Sequence, residues 1–178
     1  MGLAEDSHAQ VLIADYIGTD AAGKINALGA GFVITGLQAT GLTPPQYVVA
    51  LIDVASEHAG REFPLLLELR DIEANVPVQV PGPTGGTEAL RIQQLVKAER
   101  PQVPGIYLPE NLFSRVQVSL GFPNGLPLAP GRLYEWRLEV NGTSQPGWRA
   151  RFYVAGPPPA PVFGGPIGPA DIPTLPTS

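Results

Sequence analysis

Apolar and polar residues alternate with a period of two along the clearest stretches of the chain, placing successive side chains on opposite faces of extended strands. Tyr134, Trp136, Leu138 and Val140 alternate with Glu135, Arg137 and Glu139, and Trp148, Ala150, Phe152 and Val154 with Arg149, Arg151 and Tyr153. Asn141-Gly142 lies between the two runs, so they predict a hairpin with a tight turn and an irregular continuation to Gly147. Val116, Val118, Leu120 and Phe122 set against Arg115, Gln117 and Ser119 predict another half-buried strand. Phe63, Leu65, Leu67 and Leu69 form the apolar face of a further one, with Pro64 near its start, where a missing backbone donor is tolerated.

The run from Gln46 to Ala55 does not alternate. It is apolar almost throughout and of strand length, as expected of a central strand covered on both faces. Val11 to Ile17 predicts a strand. After turn chemistry at Thr19 to Lys24, Ile25 to Leu28 and Gly31 to Thr35 return as extended chain. Val76, Val78 and Val80, interrupted by Pro77 and Pro81, predict an edge strand. Glu88 to Glu99 fits a strand or a partly clustered helix, and the strand is preferred. Pro104 to Asn111 predicts a loop whose apolar residues plug one end of the core.

Eight or nine strands with clear turn punctuation predict an all-β fold, an antiparallel β-sandwich of immunoglobulin-like or jelly-roll-like type. Residues 1–9 are expected to lead in flexibly, 10–155 to form the domain, and 156–178 to run on as an extended proline-rich C-terminal tail. Residues 157–178 hold eight prolines, and a polyproline-like path of that length reaches about 70 Å at roughly 3.1 Å per residue.

Composition sharpens the picture. Only 15% of residues are charged, against about a quarter in ordinary domains, so much of the surface is small, polar or apolar, as in a protein that is covered in an assembly. The net charge of −5 argues against nucleic acid, whose binding needs clustered Lys and Arg to displace counterions. Arg132, Arg137, Arg149 and Arg151 come nearest to a cluster, and they read as one solvated sheet face. No apolar run approaches the roughly 20 residues that span a bilayer, and Met1 to Gln10 lacks a basic region, so neither a membrane segment nor a signal peptide is expected. With no cysteine, thiol chemistry is excluded.

The remaining candidate chemistry is sparse. Gly18-Thr19-Asp20-Ala21-Ala22-Gly23-Lys24 has phosphate-loop spacing, but Ile25 stands where Ser or Thr would hold magnesium, and no helix follows, so a hairpin turn is the expectation. His8, in the lead-in, and His58, in an expected surface turn, lack ligand-spaced partners in sequence, so no metal centre or triad is expected. Asp15, Asp20 and Asp53 do not make a calcium loop. Glu68 reads as a solvated strand position. Trp136 and Trp148 could stack a carbohydrate, but both fall in the apolar register and predict core. Asn141-Gly142-Thr143 matches a glycosylation sequon with no secretory context. No cofactor and no catalytic residue is expected.

Ala14-Asp15-Tyr16, then Gly23-Lys24-Ile25-Asn26-Ala27-Leu28-Gly29-Ala30-Gly31-Phe32, the apolar strand after it, and Phe63-Pro64-Leu65-Leu66-Leu67-Glu68-Leu69-Arg70-Asp71 together resemble an uncharacterised family of small proteins from bacterial and actinobacteriophage genomes. The likeness covers roughly residues 10–75. It implies a β fold and a phage origin, and brings no activity with it. The resulting expectation is a non-enzymatic structural or interaction protein, a virion component such as a capsid decoration or minor capsid protein, found in the virion or otherwise in the cytoplasm. Its partners are other subunits of an assembly, further copies of itself among them. The contact is expected through the tail at Pro157, Pro158, Pro159, Val162, Phe163, Ile167, Ile172 and Leu175. The alternative is a small-molecule or carbohydrate-binding domain with exposed Tyr107, Tyr134 or Trp148 lining a groove.

Overall fold

The structure, a computed structural model, describes residues 2–21, 23–82 and 85–156. Thirteen strands lie among them: β1 Ser7–Ala14, β2 Tyr16–Thr19, β3 Ile25–Leu28, β4 Ile34–Thr35, β5 Gln46–Val54, β6 Glu62–Asp71, β7 Val76–Pro77, β8 Gln79–Pro81, β9 Thr87–Ala89, β10 Arg91–Lys97, β11 Ser114–Phe122, β12 Arg132–Val140 and β13 Arg149–Val154. The fold is all-β. A three-stranded sheet has the order β1-β5-β11 and a six-stranded sheet the order β10-β6-β12-β13-β4, with β7 also on β6; β2–β3 and β8–β9 are separate hairpins. The pairings are antiparallel except that β4 lies parallel to β13.

The alternation explains the packing. Val48, Ala50, Ile52 and Val54 of β5 share one core cluster with Phe63, Leu65, Leu67 and Leu69 of β6 and with Tyr134, Trp136, Leu138 and Val140 of β12, so the apolar faces of the two large sheets meet. The Trp136 ring stacks on Phe122 of the other sheet, with centroids 5.8 Å apart. The opposite face of β5 is covered as well: Val49 joins Ala14 and Ile17 in a second cluster, against which Tyr47, Leu51 and Ile25 pack. Hairpin β2–β3 thus caps the outer face of the smaller sheet, and this accounts for the unbroken apolar run in β5.

Polar contacts fix the connections. Thr43 is fully buried; its hydroxyl accepts from the Leu126 N–H at 2.9 Å and from Gln46 Nε2 at 3.2 Å, while its own N–H donates to the Leu126 carbonyl at 3.0 Å. Gly125, at φ +76°, lies against the Thr43 carbonyl where no side chain fits. At the start of β12 the Tyr134 hydroxyl accepts from the Ala129 N–H at 2.9 Å and donates to the Ala129 carbonyl at 3.3 Å. Asn141 and Gly142 both have positive φ, and the Thr143 N–H donates to the Val140 carbonyl, giving the tight turn expected of that hairpin.

Several boundaries differ from expectation. The chain enters β1 at Ser7, and Ala4 is already buried in the core, so ordered structure begins inside the expected lead-in. The Val11 to Ile17 run breaks at Asp15, whose N–H donates to the Leu28 carbonyl and draws the chain from β5 towards β3. Val76 to Val80 splits at Val78, whose N–H is taken by the Leu69 carbonyl. Pro104 to Asn111 does not plug the core: Ile106 is exposed and Tyr107 is 85% exposed.

Leu67→Ala, at the heart of the meeting faces, is expected to lower the unfolding free energy by about 2–5 kcal/mol. Gly125→Ala is expected to cost more than the usual surface change, because it adds a steric clash to an unfavourable φ. Urea unfolding of both variants measures these losses.

Candidate functional site

Three features of the surface stand out: a charged face, an apolar edge and an apolar loop. The charged face is the outer side of the six-stranded sheet, where the register sets Glu135 opposite Arg70 and Arg151, and Glu68 opposite Arg91 and Arg137. Glu135 is only 1% exposed. Its Oε1 accepts from Arg137 Nε and Nη2 at 3.1 and 3.0 Å, its Oε2 from Arg151 Nε at 2.7 Å, and Arg149 Nη1 lies 3.8 Å away. Glu68 is buried too, with Arg70 Nη1 at 2.6 Å and Arg91 Nη1 at 4.0 Å. Five guanidiniums thus stand around two buried carboxylates, with Glu139 further along the same face of β12.

These positions correct two expectations. Glu68 is not solvated, and the arginine face is an ion-pair ladder with buried acids at its centre. Arg132 stands apart from it, pairing at 2.6 Å with Asp71 at the strand ends. On the outer face of the smaller sheet, Arg115 makes a two-pronged pair with Asp53 at 2.7 and 2.8 Å. The Arg115 hydrogen bond holds the Asp53 carboxyl below its ordinary value. Burial alone would raise Glu135, but hydrogen bonds from Arg151 and Arg137 and the charge of Arg149 outweigh it and lower the carboxyl. At Asp71, burial is likewise outweighed, by the Ala74 N–H and by Arg132. Carboxylates so saturated by donors hold their charge and are poorly suited to moving protons.

The apolar edge is β4. Val33 and Ile34 are exposed beside half-exposed Tyr153, and the Ala155 N–H donates to the Thr35 carbonyl where the chain leaves β13. A cavity of about 550 Å³ adjoins this edge, lined by Gly36, Leu37, Gln38, Ala39, Pro130 and Gly156. The apolar loop follows β10: Val103, Ile106, Tyr107 and Phe113 are all exposed, and Arg100, Gln102, Tyr107 and Glu110 line a cavity of about 380 Å³.

The other residues singled out in the sequence scatter. Gly18 and Thr19 end strand β2, Ile25 opens β3 antiparallel to it, and between them the Lys24 N–H donates to Asp20 Oδ1 at 2.8 Å. Asp15 contacts Gly29 and Asp53 pairs with Arg115, so Asp15, Asp20 and Asp53 do not converge. Trp136, Trp148 and Tyr134 are buried in the core; of the aromatics expected to line a groove, Tyr107 alone does so among the described residues. His8 sits in β1, its ring 5.9 Å from that of Phe113. His58 is in the expected turn but is 6% exposed, against Asp6 and Glu57, so it is no surface residue. The tail positions Pro157, Pro158, Pro159, Val162, Phe163, Ile167, Ile172 and Leu175 lie outside the described residues. Among the described residues no helix is long and apolar enough to cross a membrane.

Glu135→Gln leaves three guanidiniums around a neutral amide; the expected loss is about 2 kcal/mol, below that of a fully buried pair because the arginines reach solvent. Asp53, Asp71 and Glu135 have lowered pKa values, so the unfolded chain, at ordinary values of 3.8 for Asp and 4.5 for Glu, binds protons more readily than the folded one. Their stabilisation is complete above that ordinary range and is lost as pH falls through the lowered values. The urea midpoint is therefore expected to drop on acidification below the ordinary carboxyl range, and to drop less when Asp53→Asn, Asp71→Asn and Glu135→Gln are combined.

Comparison with protein-family models and with curated proteins returns no match to this chain.

Proposed function

We propose that this protein is a non-enzymatic structural protein of an assembly, a virion component of the capsid-decoration or minor-capsid kind, whose segment 157–178 docks as an arm on a neighbouring subunit. The observation that carries the reading is the apolar edge at β4: Val33 and Ile34 stand exposed beside the point where the chain leaves at Gly156, next to a cavity with apolar walls. An exposed strand edge offers unpaired backbone groups as well as apolar side chains, and incoming extended chain satisfies both. Low surface charge and the proline content of the arm favour the same role, since a stiff segment loses less entropy on docking.

The fold is proposed to be an immunoglobulin-like sandwich. Two sheets ordered β1-β5-β11 and β10-β6-β12-β13 support it, because consecutive β5 and β6 lie in different sheets, as do β11 and β12, and the sheets share one core. Tyr134 supports it further: a tyrosine at the start of a late strand, bonded back to backbone a few residues upstream, is the corner that such folds use. The alternative role, small-molecule or carbohydrate binding, is favoured by one feature, the cavity beside exposed Tyr107.

Light scattering and co-sedimentation with particles from the source of the protein test the arm, comparing the full chain with a chain ending at Gly156 and with the double variant Val33→Asp, Ile34→Asp. The full chain is expected to associate, and both altered proteins to lose association at least tenfold. Equal behaviour of all three contradicts the assembly reading and shifts attention to ligands at Tyr107.

A further inference from the structure

Asp6, Glu57 and His58 come from opposite ends of β1 and β5, in sequence more than fifty residues apart, and meet at one end of the smaller sheet. His58 Nε2 lies 3.1 Å from Asp6 Oδ2 and 3.4 Å from Glu57 Oε1, and all three potential ligand atoms fall within 4.8 Å of one another. We propose that these side chains form a site for a divalent transition-metal ion of zinc-like chemistry, with solvent completing its coordination. A tetrahedral ion with bonds of about 2.1 Å has ligand-to-ligand edges of about 3.4 Å, close to the separations of both carboxylates from Nε2. One imidazole with two carboxylates is a donor set that borderline ions accept, whereas magnesium and calcium favour oxygen alone.

Charge points the same way. Neither Asp6 nor Glu57 has a Lys or Arg within ion-pair distance among the described residues; their shared neighbour is His58. The two carboxylates converge on the one Nε2 atom from two sides. A cation seated among them meets both carboxylates and the imidazole at once.

The framework is already in place. The turn that carries Asp6 is pinned by Ala4 in the core and by Gln145 Nε2, which donates to the Ala4 carbonyl at 2.9 Å. The turn Ser56–His58 is closed by the His58 N–H donating to the Ala55 carbonyl. Glu57 is largely exposed and closes the site from the solvent side. Nδ1 of His58 is buried without a partner. A metal-bound imidazole ordinarily donates that N–H to an acceptor, and lacking one costs about 10–100-fold in affinity, so binding in the micromolar rather than the nanomolar range is expected.

Titration calorimetry and thermal melts of the tag-free full chain with zinc chloride test the site, with magnesium chloride in parallel. The site predicts one zinc ion per chain and a raised melting temperature, at least tenfold weaker binding in Glu57→Gln, and no measurable binding in Asp6→Asn. His8→Asn should bind like the parent. Glu57→Gln, at an exposed position, remains decisive if Asp6→Asn fails to fold. Absence of binding, binding of magnesium as tight as zinc, binding retained by both Glu57→Gln and Asp6→Asn, or binding lost in His8→Asn would each overturn the proposal.

Discussion

Strand β5 is buried on its inner face throughout and covered on its outer face from Tyr47 to Leu51, and much of the molecule is arranged around it. One face presents Val48, Ala50, Ile52 and Val54 to the six-stranded sheet; the other presents Tyr47, Val49 and Leu51 to hairpin β2–β3. A strand in that position has no solvent to satisfy its backbone, so both edges must be paired, and they are, by β1 and β11. The hairpin inserted after β1 follows from the same need. Without it, an apolar stripe would face water beside β1.

The second sheet meets a different constraint. Its inner face is apolar, but its outer face carries charges that the cross-strand register brings together, and Glu135 and Glu68 sink beneath the guanidiniums that neutralise them. This turns an exposed sheet surface into an ion-pair ladder. What the surface does offer is apolar contact, at the β4 edge and along the loop from Val103 to Phe113. The proposed assembly role rests on that division, with charge paired on one face and apolar side chains exposed at an edge.

Much of the strand framework was legible in the sequence because burial imposes a period of two. β6, β11, β12 and β13 follow their alternation, and the unbroken run in β5 foretold a covered centre. Asn141-Gly142 gave the turn because two successive positive φ values demand such residues. What depended on distant pairing stayed hidden. The burial of Glu68 and Glu135 arises from which arginines stand opposite them, and the meeting of Asp6 with His58 from the two turns converging at one end of the sheet. Neither leaves a local trace. The apolar loop at Ile106 and Tyr107 misled for the opposite reason: apolar residues suggest burial, and here they are exposed.

Hydrogen exchange of the full chain, alone and mixed with particles from its source, bears most directly on the proposed role. The account predicts added protection of backbone amides at residues 33–41 and 153–156 on binding, with those between 100 and 110 unchanged. Protection confined to 100–110, or none at the β4 edge, would contradict it.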